Sequence, residues 1–118
     1  MFKSVRAFIG AKNFEESKQF YLDLGFSYVD LDSMLYFSIH DNLGFYLQKA
    51  YVKDWVDNSM LFLEVENLTE YYKEIKAKNL DKKYEKVRLS KIVKNDWGQE
   101  FFLHDPSGIL WHIGNFKN

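Results

Sequence analysis

The chain repeats its own sequence pattern once, and this repeat constrains the fold more than any other feature. An apolar stretch at residues 7–9 is followed by Asn13 at the start of a helical pattern. The same series returns 54 residues later, with an apolar stretch at residues 61–63 followed by Asn67. Each Asn can cap its helix by accepting a backbone N–H, and the Glu three positions on can reach back to the cap. The pattern predicts two helices that begin alike.

The second half of the repeat is a pair of turns. Residues 39–44 (IHDNLG) match residues 103–108 (LHDPSG) at an offset of 64, and such segments favour a type I turn. β-rich runs flank both turns, so each turn joins two strands of a hairpin. We expect Gly44 and Gly108 to take the positive φ that closes each hairpin. Each unit is therefore predicted to contain a strand, a helix and then three strands.

The repeat also predicts the organisation of the domain. A chain of 118 residues can build one hydrophobic core, and two independent domains are not expected. We expect a single domain, residues 1–118, with a first module at about 1–49, a linker at about 50–58 and a second module at about 59–118. The second module carries ten extra residues before Trp97. Extra loop length beside a repeat is typical of a functional segment.

Charge and cysteine content exclude several classes of function. Sixteen Lys and Arg against seventeen Asp and Glu give a net charge of −1, so there is no field of one sign to hold nucleic acid or a membrane surface. We expect neither partner. The absence of Cys excludes a disulfide framework, a thiolate nucleophile and a Cys zinc site, and it fits a reducing cytoplasm. The N-terminal apolar run is too short for a signal peptide or membrane span, so a soluble, cytoplasmic protein is predicted.

Aromatic side chains are unusually frequent. Eight Tyr, eleven Phe and three Trp make up 19% of the residues. A core of this size does not need so many rings by volume alone. We therefore expect some of them to line a pocket.

Two motifs, taken with the repeat, resemble a known family. The paired strand–helix–three-strand units, the FYxxLGF sequence at residues 20–26 and the DPxGxxxH sequence at residues 105–112 are similar to the vicinal oxygen chelate superfamily. This superfamily includes glyoxalase I, extradiol dioxygenases, fosfomycin resistance enzymes and bleomycin resistance proteins. The resemblance covers nearly the whole chain. It implies an α+β fold in which two tandem βαβββ modules form a curved mixed sheet around a cavity. It does not settle the activity, because one scaffold hosts several chemistries.

The resemblance also implies where a metal ion would bind. The metal enzymes of the superfamily place one ligand on the first and one on the last strand of each module, and those positions here are Arg6, Gln48, Met60 and His112. The repeat relates the same positions in pairs, at offsets of 54 and 64. Arg6 is a fixed cation and Met60 a soft thioether, so only Gln48 and His112 could ligate a divalent ion. We predict that no metal or other cofactor is bound.

Strand alternation places further side chains on the same face as these four positions, because residues two apart on a strand point to one face. That face mixes aromatic and polar residues, whereas the opposite face is nearly all apolar and should pack under the helices. Trp97 joins the set because a ring on a loop can stack on a planar ligand, and a Trp-Gly pair before the last hairpin is a further resemblance to bleomycin resistance proteins. The predicted ligand-binding residues are Arg6, Phe8, Tyr46, Gln48, Met60, Phe62, Glu64, Trp97 and His112.

No residue is assigned a catalytic role. His112 is the imidazole at a cavity position and could act as a general base, but we favour pocket lining or simple packing. His40 and His104 occupy matching hairpin ends and are expected to be structural.

The interpretation that follows is a metal-free, bleomycin-resistance-like protein that sequesters a planar or amphipathic small molecule in an aromatic cleft. The resemblance implies a homodimer with clefts between the subunits. Near-neutral charge and the presence of Arg6 argue against cationic bleomycin itself as the ligand. Two alternatives stay open. One is a glyoxalase-type, metal-dependent lyase, isomerase or dioxygenase with an atypical site, and the other is a vestigial cleft whose dimer surface binds another protein.

Overall fold

The structure is a computed structural model that describes residues 1–117, and within them the chain forms nine strands and four helices. In chain order these elements are β1 (Ala7–Gly10), α1 (Phe14–Asp23), β2 (Ser27–Asp30), β3 (Met34–His40), β4 (Leu43–Gln48), α2 (Lys53–Asp57), β5 (Met60–Glu64), α3 (Leu68–Ala77), α4 (Leu80–Lys83), β6 (Arg88–Leu89), β7 (Val93–Lys94), β8 (Gly98–His104) and β9 (Leu110–Phe116).

The strands form two mixed sheets with matching order. The first has the order β1-β4-β3-β2, and the second has the order β5-β9-β8-β6 with β7 paired to β8. In each sheet the first strand lies parallel to the last strand, and the other pairs are antiparallel. The predicted α+β fold with two βαβββ modules is therefore confirmed.

The two long helices begin as the repeat predicted. The side chain of Asn13 accepts a hydrogen bond from the backbone N–H of Glu16, and that of Asn67 accepts one from Glu70, each at 3.1 Å. Gly25 follows α1 with a φ of 96°, a conformation that glycine adopts without steric cost. Within residues 1–117, no helix is both long and apolar enough to cross a bilayer.

Three local features differ from the sequence-based expectation. The first hairpin has its positive φ at Asp41 (45°) and not at Gly44, whereas Gly108 takes a φ of 109° as predicted. Gly44 instead lies in β4 against the Tyr36 ring, whose hydroxyl oxygen occupies the place of a Cβ. The linker is partly helical, because α2 forms within it. The extra residues of the second module form α4 and β7.

One hydrophobic core joins the two sheets through α1. Tyr21 is fully buried, and its ring lies 4.9 Å from Phe45 of the first sheet and 6.0 Å from Trp111 of the second. The Tyr21 hydroxyl donates to Asp105 Oδ2 and accepts from Trp111 Nε1. Residues of both modules therefore share one buried polar network.

Candidate functional site

The first sheet carries a group of side chains that we call the Arg6 cluster, made of Arg6, Phe8, Tyr36 and Tyr46. The rings of Phe8 and Tyr46 are stacked with centroids 4.6 Å apart, and Tyr36 lies 5.3 Å from Tyr46. Arg6 donates from Nη1 to the Tyr46 hydroxyl at 2.9 Å, and its guanidinium carbon lies 4.2 Å from the centre of the Tyr36 ring. The hydrogen bond to Tyr46 raises the pKa of Arg6. The cluster therefore presents a fixed cation on an aromatic surface.

Strand register explains why these side chains meet. Phe8 of β1 is opposite Tyr46 of β4, and Tyr46 is opposite Tyr36 of β3, so three rings lie in one row across the sheet. The alternation predicted from sequence is confirmed at this strand: Phe8 is 55% exposed and the next residue, Ile9, is 1% exposed. The row therefore faces away from the core.

The second sheet carries a separate group that we call the Trp97 cluster, made of Phe62, Trp97, His112 and Phe116. The centroid of the Phe62 ring lies 5.9 Å from Trp97 and 5.5 Å from Phe116, and Trp97 lies 5.3 Å from Phe116. The imidazole of His112 is stacked on Phe62 at 6.4 Å with an interplanar angle of 18°. Phe62, Trp97 and Phe116 are all 37–50% exposed. The cluster is an apolar surface open to solvent.

The inserted segment of the second module positions Trp97. Asn95 and Gly98 exchange two backbone hydrogen bonds, which close a tight turn around Trp97. The Trp97 carbonyl then accepts from the backbone N–H of Lys117 at 2.8 Å. A Cβ at Gly98 would collide with the Asn115 carbonyl oxygen, so only glycine fits after the tryptophan. This geometry accounts for the Trp-Gly pair.

Two further polar side chains, Glu100 and Asn95, extend from His112 of the Trp97 cluster as a hydrogen-bonded chain. His112 Nδ1 is 2.9 Å from Glu100 Oε1, and Glu100 Oε2 accepts a hydrogen bond from Asn95 Nδ2 at 3.1 Å. The Glu100 and His112 side chains are 12% and 24% exposed. His112 Nε2 is buried and has no hydrogen-bond partner among residues 1–117. The imidazole is therefore held at one nitrogen and unsatisfied at the other.

The predicted site residues lie in two groups rather than around one cavity. Arg6, Phe8, Tyr46 and Gln48 lie on or beside the first sheet, and Met60, Phe62, Glu64, Trp97 and His112 lie on or beside the second. A cavity of about 640 Å³ lies between β5 on one side and the N-terminal segment with the first hairpin on the other, and Phe62 and Glu64 are among its lining residues. Phe8 and Gln48 line one of about 60 Å³. Among residues 1–117, no ring of the Arg6 cluster contacts a ring of the Trp97 cluster.

Sequence reasoning missed four residues of these groups: Tyr36, Glu100, Asn95 and Phe116. For Glu100 the missing information is cross-strand register, which places it opposite Gly114 and within reach of His112. The signal was present for Tyr36, because strand alternation from Met34 puts it on the open face. It was also present for Phe116, because that residue lies four positions after His112 on the same strand face.

Comparison with solved structures supports the fold. No protein-family model and no curated protein matches the chain. The bleomycin-binding protein of bleomycin-producing Streptomyces verticillus, complexed with copper(II)-bleomycin, is similar with a TM-score of 0.81 at 18% identity, over 99% of this chain and 98% of that one. The bleomycin resistance determinant encoded on transposon Tn5 is similar with a TM-score of 0.76 at 20% identity, over 97% and 98%. A glyoxalase/bleomycin resistance protein from Catenulispora acidiphila is similar with a TM-score of 0.75 at 14% identity, over 97% of this chain and 98% of that one.

The chain has the vicinal oxygen chelate fold. At these identities the likeness extends to the backbone architecture and not to the activity. What this protein binds or catalyses must therefore be argued from its own side chains.

The residues at the four positions where the resemblance would place metal ligands do not fit a divalent ion. Arg6 is a cation engaged with two tyrosine rings, and Met60 is a thioether that is 63% exposed. His112 is bound through Nδ1 to Glu100. Within residues 1–117, no group of three or more His, Cys, Asp or Glu side chains is arranged to hold a metal ion. That the protein binds no metal stays a prediction.

Proposed function

We propose that this protein binds a planar or amphipathic small molecule in an aromatic cleft and sequesters it in the cytoplasm without reacting with it. The observation that carries this proposal is the exposure of the rings on the open sheet faces. Phe8, Phe62 and Phe116 are 43–55% exposed, although a folded chain gains by burying such rings. Phe8 lies beside Tyr46, which accepts a hydrogen bond from Arg6, and Phe62 lies beside His112, which is hydrogen-bonded to Glu100, as in a ligand pocket.

We further propose that each copy of the chain folds as one domain and that the complete cleft forms between two copies. The Arg6 cluster and the Trp97 cluster lie on different sheets, so one chain presents two incomplete halves. The N-terminal segment supports an interface between copies, because Met1, Phe2 and Val5 are 93% or more exposed. β5 supports it too, because it pairs only with β9 among the described strands and leaves an open edge.

The charge of the site favours a neutral or anionic ligand. Arg6 has no carboxylate within 4 Å among residues 1–117, so its charge is free to face a ligand. The similar Streptomyces verticillus protein was solved in complex with copper(II)-bleomycin, which is a property of that protein. The free cation of Arg6 would oppose a cationic drug.

Thermal shift with planar antibiotics and aromatic metabolites tests the proposal, because a ligand that binds only the folded state raises the melting temperature. We expect stabilisation of the parent and its loss in Trp97→Ala. Tyr28→Ala is the matched control, because Tyr28 is as exposed as Trp97 (37%) but packs against Phe37 on the helix side of the first sheet. Equal stabilisation of the parent and Trp97→Ala would contradict the proposal.

The alternative of a metal-dependent lyase, isomerase or dioxygenase is tested by metal analysis. Protein purified without chelators is expected to contain less than stoichiometric divalent ion. A stoichiometric ion that is lost in His112→Ala and Gln48→Ala would favour the enzyme instead.

Size-exclusion chromatography with light scattering tests the dimer separately. We expect twice the chain mass of 14.1 kDa. A species of a single chain mass at micromolar concentration would contradict the shared cleft.

A further inference from the structure

We propose that the ligand of this cleft carries an N–H or O–H donor on its aromatic ring system, and that His112 Nε2 accepts this hydrogen bond. The inference rests on the proposed function and names the chemical class of its ligand. It assigns Glu100 and Asn95 a positioning role, because neither is required to touch the ligand.

The polar chain beside the cluster decides which His112 nitrogen carries the proton. A carboxylate oxygen only accepts hydrogen bonds, so the contact of 2.9 Å between Glu100 Oε1 and His112 Nδ1 needs a proton on Nδ1. Asn95 Nδ2 occupies the other carboxylate oxygen at 3.1 Å and holds Glu100 in this orientation. In the neutral ring, Nε2 is then left as an acceptor.

The acceptor at Nε2 has no internal explanation. It is buried, and no donor among residues 1–117 reaches it. Most buried polar atoms in folded proteins are paired, because leaving one unpaired is costly, so an exception needs a reason. The ring cannot turn to pair Nε2 elsewhere without breaking the Glu100 contact. Phe62 stacked on one face and Phe102 edge-on at 5.2 Å further fix its plane.

The surroundings of Nε2 select an aromatic donor. Phe62 joins the imidazole to the exposed rings of Trp97 and Phe116, so a bound aromatic ring here lies beside His112. The His112 side chain keeps 24% of its surface exposed, and Phe62 keeps 43%. Because Nε2 itself is buried, the inference requires the Phe62 ring, which is stacked on the imidazole, to move when the ligand binds.

A matched pair of probes tests the inference: 2-naphthol, which has an O–H donor, and 2-methoxynaphthalene, which keeps the rings and the oxygen acceptor but lacks the donor. Dissociation constants are measured by calorimetry on the full chain. We expect 2-naphthol to bind about tenfold more tightly, the effect of one hydrogen bond to an otherwise unsatisfied acceptor.

Two variants locate the effect. His112→Asn keeps an N–H donor for Glu100 but removes Nε2, and we expect the two probes to bind it equally. His40→Asn is the control at the end of the first hairpin, where the imidazole is exposed, and it should keep the preference. Circular dichroism checks that both variants are folded. If His112→Asn does not fold, the comparison of the two probes on the parent still tests whether the ligand needs a hydrogen-bond donor.

The outcomes separate the two proposals. Equal binding of both probes to the parent, or the same preference in His112→Asn, would overturn the role of Nε2 and leave the aromatic cleft standing. Binding of neither probe to the parent would count against the cleft, and the inference would fall with it.

Discussion

The Tyr21 hydroxyl donates a hydrogen bond of 2.7 Å to Asp105 Oδ2, across 84 residues of sequence. The other oxygen of Asp105 accepts three backbone N–H groups of its own turn, from Ser107, Gly108 and Ile109, each at 2.9 Å. The FYxxLGF and DPxGxxxH motifs thus meet in one buried contact. Its role is to fix the β8–β9 turn against α1, and through that turn the strand that carries His112.

Removing this hydroxyl should destabilise the fold. Tyr21→Phe leaves Asp105 Oδ2 and the Trp111 indole N–H unpaired in the core, at a cost of about 1–3 kcal/mol in the free energy of unfolding. Urea unfolding measures it. Tyr51→Phe, which changes an exposed tyrosine, should shift the midpoint by less than a quarter of that effect. Equal stability of the two variants would show that the buried network does not matter.

Asp23 should make stability depend on pH in the acid range. Its carboxylate accepts from Lys83 Nζ at 2.7 Å, from the Tyr84 hydroxyl at 2.6 Å and from Gln19 at 3.2 Å. Partial burial raises the pKa of Asp23, but the hydrogen bonds from Lys83, Tyr84 and Gln19 outweigh it, so the pKa is lowered overall. A lowered pKa in the folded state contributes stability above the unfolded value, and this stability is lost as the pH falls through the folded pKa.

The comparison of the parent with Asp23→Asn therefore has a defined shape. The parent should be more stable by about 1 kcal/mol above about pH 5, and the difference should shrink as the pH falls below about 4. Melting temperatures between neutral and acid pH measure it. Glu85→Gln, at an exposed carboxylate with no hydrogen bond among those described, serves as the control. A difference that stays constant with pH would rule out Asp23 as the titrating group.

Gly44 should be intolerant of a side chain although its φ is ordinary. A Cβ there would collide with the hydroxyl and ring of Tyr36 and with the Phe37 carbonyl oxygen. Gly44→Ala is expected to lower stability by about 1–3 kcal/mol and to displace Tyr36 from Arg6. Tyrosine ring signals in an NMR spectrum report the displacement. An Ala variant with the stability and Tyr36 signals of the parent would contradict this packing.

The sequence predicted local features well, because they depend on neighbouring residues. Asn13 and Asn67 were recognised as caps, and strand alternation separated exposed Phe8 from buried Ile9. It did not predict that Asp41 would close the first hairpin, because the pairing of β3 with β4 shifts register between Ser38 and His40, and the sequence pattern does not show this shift.

Features that depend on register or on the packing of the two sheets could not be predicted. Glu100 is found beside His112 only when β8 and β9 are paired in the observed register. The same limit applies to the separation of the Arg6 cluster from the Trp97 cluster. The repeat predicts the order of elements along each module, but not how the two sheets are arranged around α1.

The most direct test of the central claim is an NMR titration with 2-naphthol that follows the indole N–H signals of the three tryptophans. Trp97 is 37% exposed in the proposed cleft, whereas Trp111 is 3% exposed in the core and donates to Tyr21. Trp97→Phe identifies the Trp97 signal. We predict that this signal shifts on titration while that of Trp111 does not. A Trp97 signal that stays in place while the probe binds elsewhere on the chain would contradict the aromatic cleft.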